Sequence, residues 1–229
     1  MIKIIAFDAD DTLWVNEPFF REAEEEFTAL MENFVPQHTS LKELYLTEIR
    51  NLELYGYGIK GFMLSMVEAA MRISDNRISI QSIYRILEIG RDMLDKPVEL
   101  LPGVEEVLAE LQNDYRLVLA TKGDLVDQER KLKKSGLDHY FHHIEIMSEK
   151  KEADFTKLIH HLDVTPEEFL MMGNSLKSDV LPVLGLGGHA IHIPFHITWE
   201  HERIEHEVVH DNFYQAEHIA QVVEIIKGI

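Results

Sequence analysis

Ile2-Lys3-Ile4-Ile5-Ala6-Phe7 runs directly into Asp8-Ala9-Asp10-Asp11-Thr12-Leu13, and this junction decides the fold. The opening stretch is short, β-branched and polar only at Lys3, which is the texture of a strand covered on both faces. Strands of that kind belong to parallel sheets. Residues just past them lie at the carboxyl edge, where open α/β sheets place their reactive groups. Asp8 and Asp10 would point to the same side there if the backbone stays extended.

Working outward, the texture changes over 17–96. Apolar residues recur at helical spacing through Phe19, Phe20, Ala23, Phe27, Leu30, Met31 and Phe34, then Leu41, Leu44, Tyr45, Ile49 and Leu52. Further helices are expected over 59–73 and 79–94, the second opened by Ser79 as N-cap. No strand interrupts the stretch, so 16–96 reads as a small helical bundle. After Pro97, strands are expected over 116–120, 142–146, 169–172 and 189–193. Helices are expected from Pro102-Gly103 to Leu111 and over 125–134, 152–161, 176–184 and 215–227. This alternation predicts an α/β fold, a doubly wound parallel sheet built from 1–15 and 97–229, with the bundle inserted after its first strand.

Composition narrows the function. The chain has 229 residues, 22 basic and 41 acidic side chains, a formal net charge of −19 and no cysteine. Disulfides, thiolate metal sites and cysteine nucleophiles are excluded. The acidity argues against nucleic acid or an anionic membrane as partner. No apolar run approaches the roughly 20 residues that span a bilayer, and the apolar N-terminus is too short for a signal peptide. A cytoplasmic setting is the expectation. Six of the 13 histidines crowd into 189–210, with a spacing that fits no zinc pattern, and they read as solvated loop and strand positions.

The expected strand ends gather Asp8, Asp10, Thr121, Asn174 and Asp179, with Lys150 just beyond the third strand. Oxygen-rich groups with one ammonium suit a hard cation and a phosphate. Asp8-Ala9-Asp10-Asp11-Thr12-Leu13, Thr121, Lys150 and Gly173-Asn174-Ser175-Leu176-Lys177-Ser178-Asp179 together resemble the four motifs of the haloacid dehalogenase superfamily. The likeness is to its phosphatase-type, phosphoglycolate phosphatase-like members. It implies a Rossmann-like core over 1–15 and 97–229, a helical cap over 16–96, a magnesium ion and an aspartyl-phosphate intermediate.

In that reading Asp8 is the nucleophile, and Asp10 protonates the leaving oxygen and later activates water. Thr121, with the backbone N–H of Lys122, holds the phosphate. Lys150, or its neighbour Lys151, neutralises nucleophile and phosphate. Asp8, Asp10 through its carbonyl, Asn174 and Asp179 form the metal shell, although Asn174 stands where many relatives have Asp. The expected activity is hydrolysis of a small phosphorylated metabolite. Phosphomutase or haloacid dehalogenase chemistry, or a non-enzymatic binding module with a degenerate site, are the alternatives. Asp10 and Asp179 oppose the dehalogenase, and Asn174 alone favours the module. Substrate choice is expected from Tyr57 and Lys60 in the glycine-rich stretch 55–62, whose other reading is a plain helix–helix turn.

Overall fold

The structure, a computed structural model, describes residues 1–229. Six parallel strands form one sheet in the order β3-β2-β1-β4-β5-β6. They are β1 (Ile4–Phe7), β2 (Arg116–Lys122), β3 (His143–Met147), β4 (Phe169–Gly173), β5 (His189–His192) and β6 (Phe213–Gln215). The unbroken apolar run of β1 is explained by its position. It lies between β2 and β4, and successive side chains face different cores. Ile5 and Phe7 join Leu119, Met172 and Ile191 against Leu108 and Val222. Ile4 and Ala6 join Val118 and Met171 against Phe155 and Leu158. Phe7 is in register with Leu119 and Met172. The carboxyl ends of β1, β2 and β4 therefore emerge side by side, and the sheet puts Asp8, Thr121 and Asn174 at one edge.

The chain divides into two compact units. One comprises Met1–Glu17, Val98–Lys122 and Gln128–Ile229, and the other comprises Pro18–Pro97 with Gly123–Asp127. The second unit carries nearly all of α1 (Glu17–Met31) and the whole of α2 (Gln37–Tyr55), α3 (Ile59–Ile73) and α4 (Ile80–Asp95). Phe27, Met31, Leu44, Phe62, Met66, Ile86 and Ile89 form its core. Ser79 caps α4, its Oγ accepting from the Ser82 backbone N–H at 3.0 Å. Gly56 and Gly58, with φ of 69° and 103°, turn the chain between α2 and α3, a backbone that a side chain would strain. The sheet unit carries α5 (Val104–Leu111), most of α6 (Leu125–Ser135), α7 (Glu152–His161), α8 (Leu181–Gly185) and α9 (Val222–Lys227).

Two expected helices differ. That over 215–227 starts only at Val222, because Phe213–Gln215 pairs beside β5 as β6. A strand of three residues is too short to show an alternation. The helix over 176–184 opens with a π turn, Leu176–Val180, before α8. Pro182 supplies the reason: it has no N–H to give the Ser178 carbonyl in an α pattern. The Val180 N–H reaches the Ser175 carbonyl instead, at 3.3 Å.

Candidate active site

Asp8 leaves β1 buried, and Lys150, buried just before α7, donates to Asp8 Oδ1 at 2.5 Å and to Asp179 Oδ1 at 2.7 Å. Two carboxylates thus share one ammonium. Burial opposes the charge of Lys150, but Asp179 and Asp8 hold its pKa above the ordinary ammonium range. Burial likewise pushes Asp8 up to about 7; the ammonium pulls it down, and Asp179 pushes it up again. Asp179 reaches this place from the π turn, with Oδ2 accepting from the Ser175 N–H at 3.0 Å. Its carboxylate lies over Gly173, where a Cβ would meet Oδ2 at 2.2 Å. Only glycine fits there. Thr12 closes the group: its hydroxyl donates to Asp8 Oδ2 at 3.2 Å and accepts from the Asn174 N–H at 3.0 Å. Lys151, the rival lysine, is exposed and sits 3.9 Å from Glu149.

Asp10 points elsewhere. Its carboxylate accepts from Lys131 Nζ at 2.6 and 2.7 Å, from Trp14 Nε1 at 2.7 Å and from Gln128 Nε2 at 3.2 Å. The same Gln128 amide donates to Thr121 Oγ1 at 2.7 Å and to the Lys122 carbonyl at 3.1 Å. With that acceptor position filled, the Thr121 hydroxyl proton is left for another oxygen. Asp11, in a left-handed backbone with φ of 60°, caps the start of α1 by accepting from the Asn16 and Glu17 N–H groups at 2.8 and 3.0 Å.

Lys122 was expected to act through its backbone, yet its side chain has partners of its own. Nζ donates to Ser178 Oγ at 3.1 Å and to Glu202 Oε1 at 2.7 Å. Glu202 Oε2 accepts from both Ser175 Oγ and Ser178 Oγ at 2.5 Å. Burial works against its charge, but Lys122 and the two hydroxyls bring its pKa down to about 2. Glu202 therefore ties the segment after β5 to the loops after β2 and β4. A depressed carboxyl stabilises the fold above its unfolded pKa, and that stability is lost as pH falls through the folded value. The window runs from about 4.5 down to about 2, and the shift is worth about 3 kcal/mol. Glu202→Gln should lower the unfolding free energy by that order at pH 7. The difference from wild type should narrow progressively below about pH 4.5, read by urea unfolding. A gap constant down to pH 3 would rule this carboxyl out.

The histidines are not all solvated. His192 places Nε2 3.0 Å from the Asn174 carbonyl oxygen, burial lowers its pKa, and the neutral ring donates there. Tyr57 and Lys60 belong to the helical unit, where Lys60 opens α3 and pairs with Asp124 at 2.9 Å. Thr12, Gln128, Lys131 and Glu202 escaped the sequence reading. Thr12 at least stood inside the first motif. The other three lie in a helix or a loop with no local signature.

The donors fit a hard cation. Asp8 and Asp179 offer two buried carboxylates against the single Lys150 charge, with the Asn174 amide Oδ1 3.4 Å from Thr12 Oγ1 beside them. All are oxygens, as magnesium requires. No group of three or more His, Asp or Glu side chains stands ready to hold a metal, so carbonyl, amide and water oxygens would complete the shell.

Comparison with known proteins gives the family and the fold. The curated glyceraldehyde 3-phosphate phosphatase of Methanopyrus kandleri is 25% identical over 186 residues, 79% of this chain and 78% of that one. A solved haloacid dehalogenase-like family hydrolase of Xanthomonas campestris is 38% identical, with a TM-score of 0.89 over 99% of this chain and 91% of that one. The fold alone extends to the L-2-haloacid dehalogenase of Xanthobacter autotrophicus, 15% identical with a TM-score of 0.67 over 100% of both chains. The family match itself spans residues 2–184, which include every motif residue at the sheet edge, and so the chain belongs to the haloacid dehalogenase-like hydrolases.

Proposed function

We propose that the protein is a magnesium-dependent phosphatase that hydrolyses a small phosphate monoester through an aspartyl-phosphate on Asp8. The observation that carries the reading is the buried Lys150 ammonium held 2.5 Å from Asp8 and 2.7 Å from Asp179. A carboxylate approaching a phosphate dianion needs counter-charge, and Lys150 supplies it beside both partners. Magnesium, held by Asp8, the Asp10 carbonyl, Asn174 and Asp179, would supply further positive charge to the phosphate oxygens.

The steps balance on this chain's own groups. An Asp8 oxygen attacks phosphorus, the ester P–O bond breaks, and the leaving oxygen takes a proton from Asp10. Asp10 then takes a proton from water, whose oxygen attacks the same phosphorus and frees inorganic phosphate and Asp8. The Thr121 hydroxyl and the backbone N–H of Lys122 hold the phosphate oxygens. A dehalogenase needs no second acid at Asp10 and no metal ligand at Asp179. The name of the Methanopyrus relative supports the ester class. A small phosphorylated metabolite in the cytoplasm is the proposed substrate, chosen by groups outside the phosphate site, with Tyr57 and Lys60 as candidates.

Phosphate release from glyceraldehyde 3-phosphate, phosphoglycolate, sugar phosphates and nucleoside monophosphates tests this reading. EDTA should abolish release and excess magnesium restore it. Asn174→Asp adds an anionic oxygen at the same position and should preserve or tighten magnesium binding measured by calorimetry. If that variant stays folded and binds no magnesium, Asn174 does not belong to the metal shell.

A further inference from the structure

We infer that Lys131 is a positioning residue for Asp10 and that it governs the second half of the reaction, hydrolysis of the phosphoenzyme; this rests on the function proposed above. A carboxylate has about four lone-pair directions. Those of Asp10 meet two contacts from Lys131 Nζ at 2.6 and 2.7 Å, one from Trp14 at 2.7 Å and one from Gln128 at 3.2 Å. The last is the longest, its amide has Thr121 and the Lys122 carbonyl as other acceptors, and it is the contact that yields its lone pair on Asp10 to the attacking water. Lys131 also donates to Asn16 Oδ1 at 3.2 Å, so the ammonium is itself anchored beyond the carboxylate. The Lys131 and Asp10 side chains are 16% and 24% exposed. That is enough burial for a charged hydrogen bond to hold a rotamer, and enough access for a water to arrive.

Lys131 and Gln128 lie three residues apart on α6, so they share one face of the helix. That face handles both ends of the chemistry. Lys131 grips the acid–base carboxylate, while Gln128 joins it to the phosphate-holding Thr121 at 2.7 Å. A general base must stand within hydrogen-bond reach of its water in a fixed direction. Without Lys131 the carboxylate turns about its own side-chain bonds, with only Trp14 and Gln128 to restrain it. Phosphate binding does not pass through Lys131. An aryl ester with a good leaving group needs no acid in the first step. The loss therefore falls on the second step.

The test follows the phosphoenzyme by rapid quench with p-nitrophenyl phosphate and magnesium. Lys131→Met should slow its decay by about 10-fold or more and let it accumulate, with kcat and KM falling together and kcat/KM within about twofold of wild type, because formation of the phosphoenzyme is untouched. Lys131→Arg keeps a two-pronged donor and should recover most of the rate. In an Asp10→Asn background Lys131→Met should add nothing, because the two act through one group. Unchanged decay in Lys131→Met, or an equal slowing in the Asp10→Asn background, overturns the inference. Should wild type form no phosphoenzyme, the phosphatase reading fails, and amine acylation by an N-hydroxysuccinimide ester, read by mass spectrometry, decides what remains. Slower labelling of Lys131 in wild type than in Asp10→Asn keeps the positioning contact. Equal rates overturn it.

Discussion

Asp8→Asn is expected to reduce turnover of any phosphate monoester by at least about 10⁴-fold while the protein stays folded. The amide cannot form the acyl phosphate, and no other carboxylate takes its place. Asp179 shares the Lys150 ammonium but lies over Gly173 and is held by the Ser175 N–H, whereas Asp10 is turned toward Lys131. The fold should gain from the change. Burial raises the Asp8 pKa from 3.8 to about 7, so the ionised form costs stability as pH rises through that window. In EDTA at pH 8 the variant should therefore melt above wild type, and the advantage should shrink as pH falls toward 4. A variant with near wild-type turnover would end the covalent mechanism.

Lys150→Met should do the opposite to stability. It removes the one ammonium between Asp8 and Asp179, whose side chains are 10% and 1% exposed. Two buried carboxylates then face each other with no counter-charge, and breaking such a group costs about 3–5 kcal/mol. Activity should vanish with it. Urea unfolding reads the first effect, and Asp8→Asn in the same chain should restore part of the loss by removing one of the two charges. A Lys150→Met protein as stable as wild type would mean that the pair is not held in solution as described.

Much of this was written plainly in the chain. The β1 run is apolar because both faces of the sheet are covered, and the abrupt change at Asp8 marks the carboxyl edge. Local patterns of this kind survive folding unchanged. The Ser79 cap and the 152–161 helix were legible for the same reason, since each is set by its immediate neighbours. The strand β6 was not, because three residues carry no period. Nor was the π turn, which depends on what Pro182 cannot donate. Lys131, Gln128 and Glu202 lay furthest from view. Each meets its partner across a loop or a sheet edge, Glu202 reaching Lys122 from 80 residues away, and nothing in the adjoining sequence distinguishes it from a solvated residue.

The pairing of β1 also has a consequence for how the chain is born. Ile4 is in register with Arg116 on one side and Phe169 on the other. The strand β1 therefore leaves the ribosome with neither neighbour made, and its second neighbour follows about 165 residues later. The helices over 17–95, whose partners are close in sequence, have time to assemble first. Through that interval Ile4–Phe7 is an apolar segment with open backbone groups on both edges. The newly made protein depends on that wait being short or sheltered, because the residues that will sit deepest in the sheet are the ones left longest without a partner.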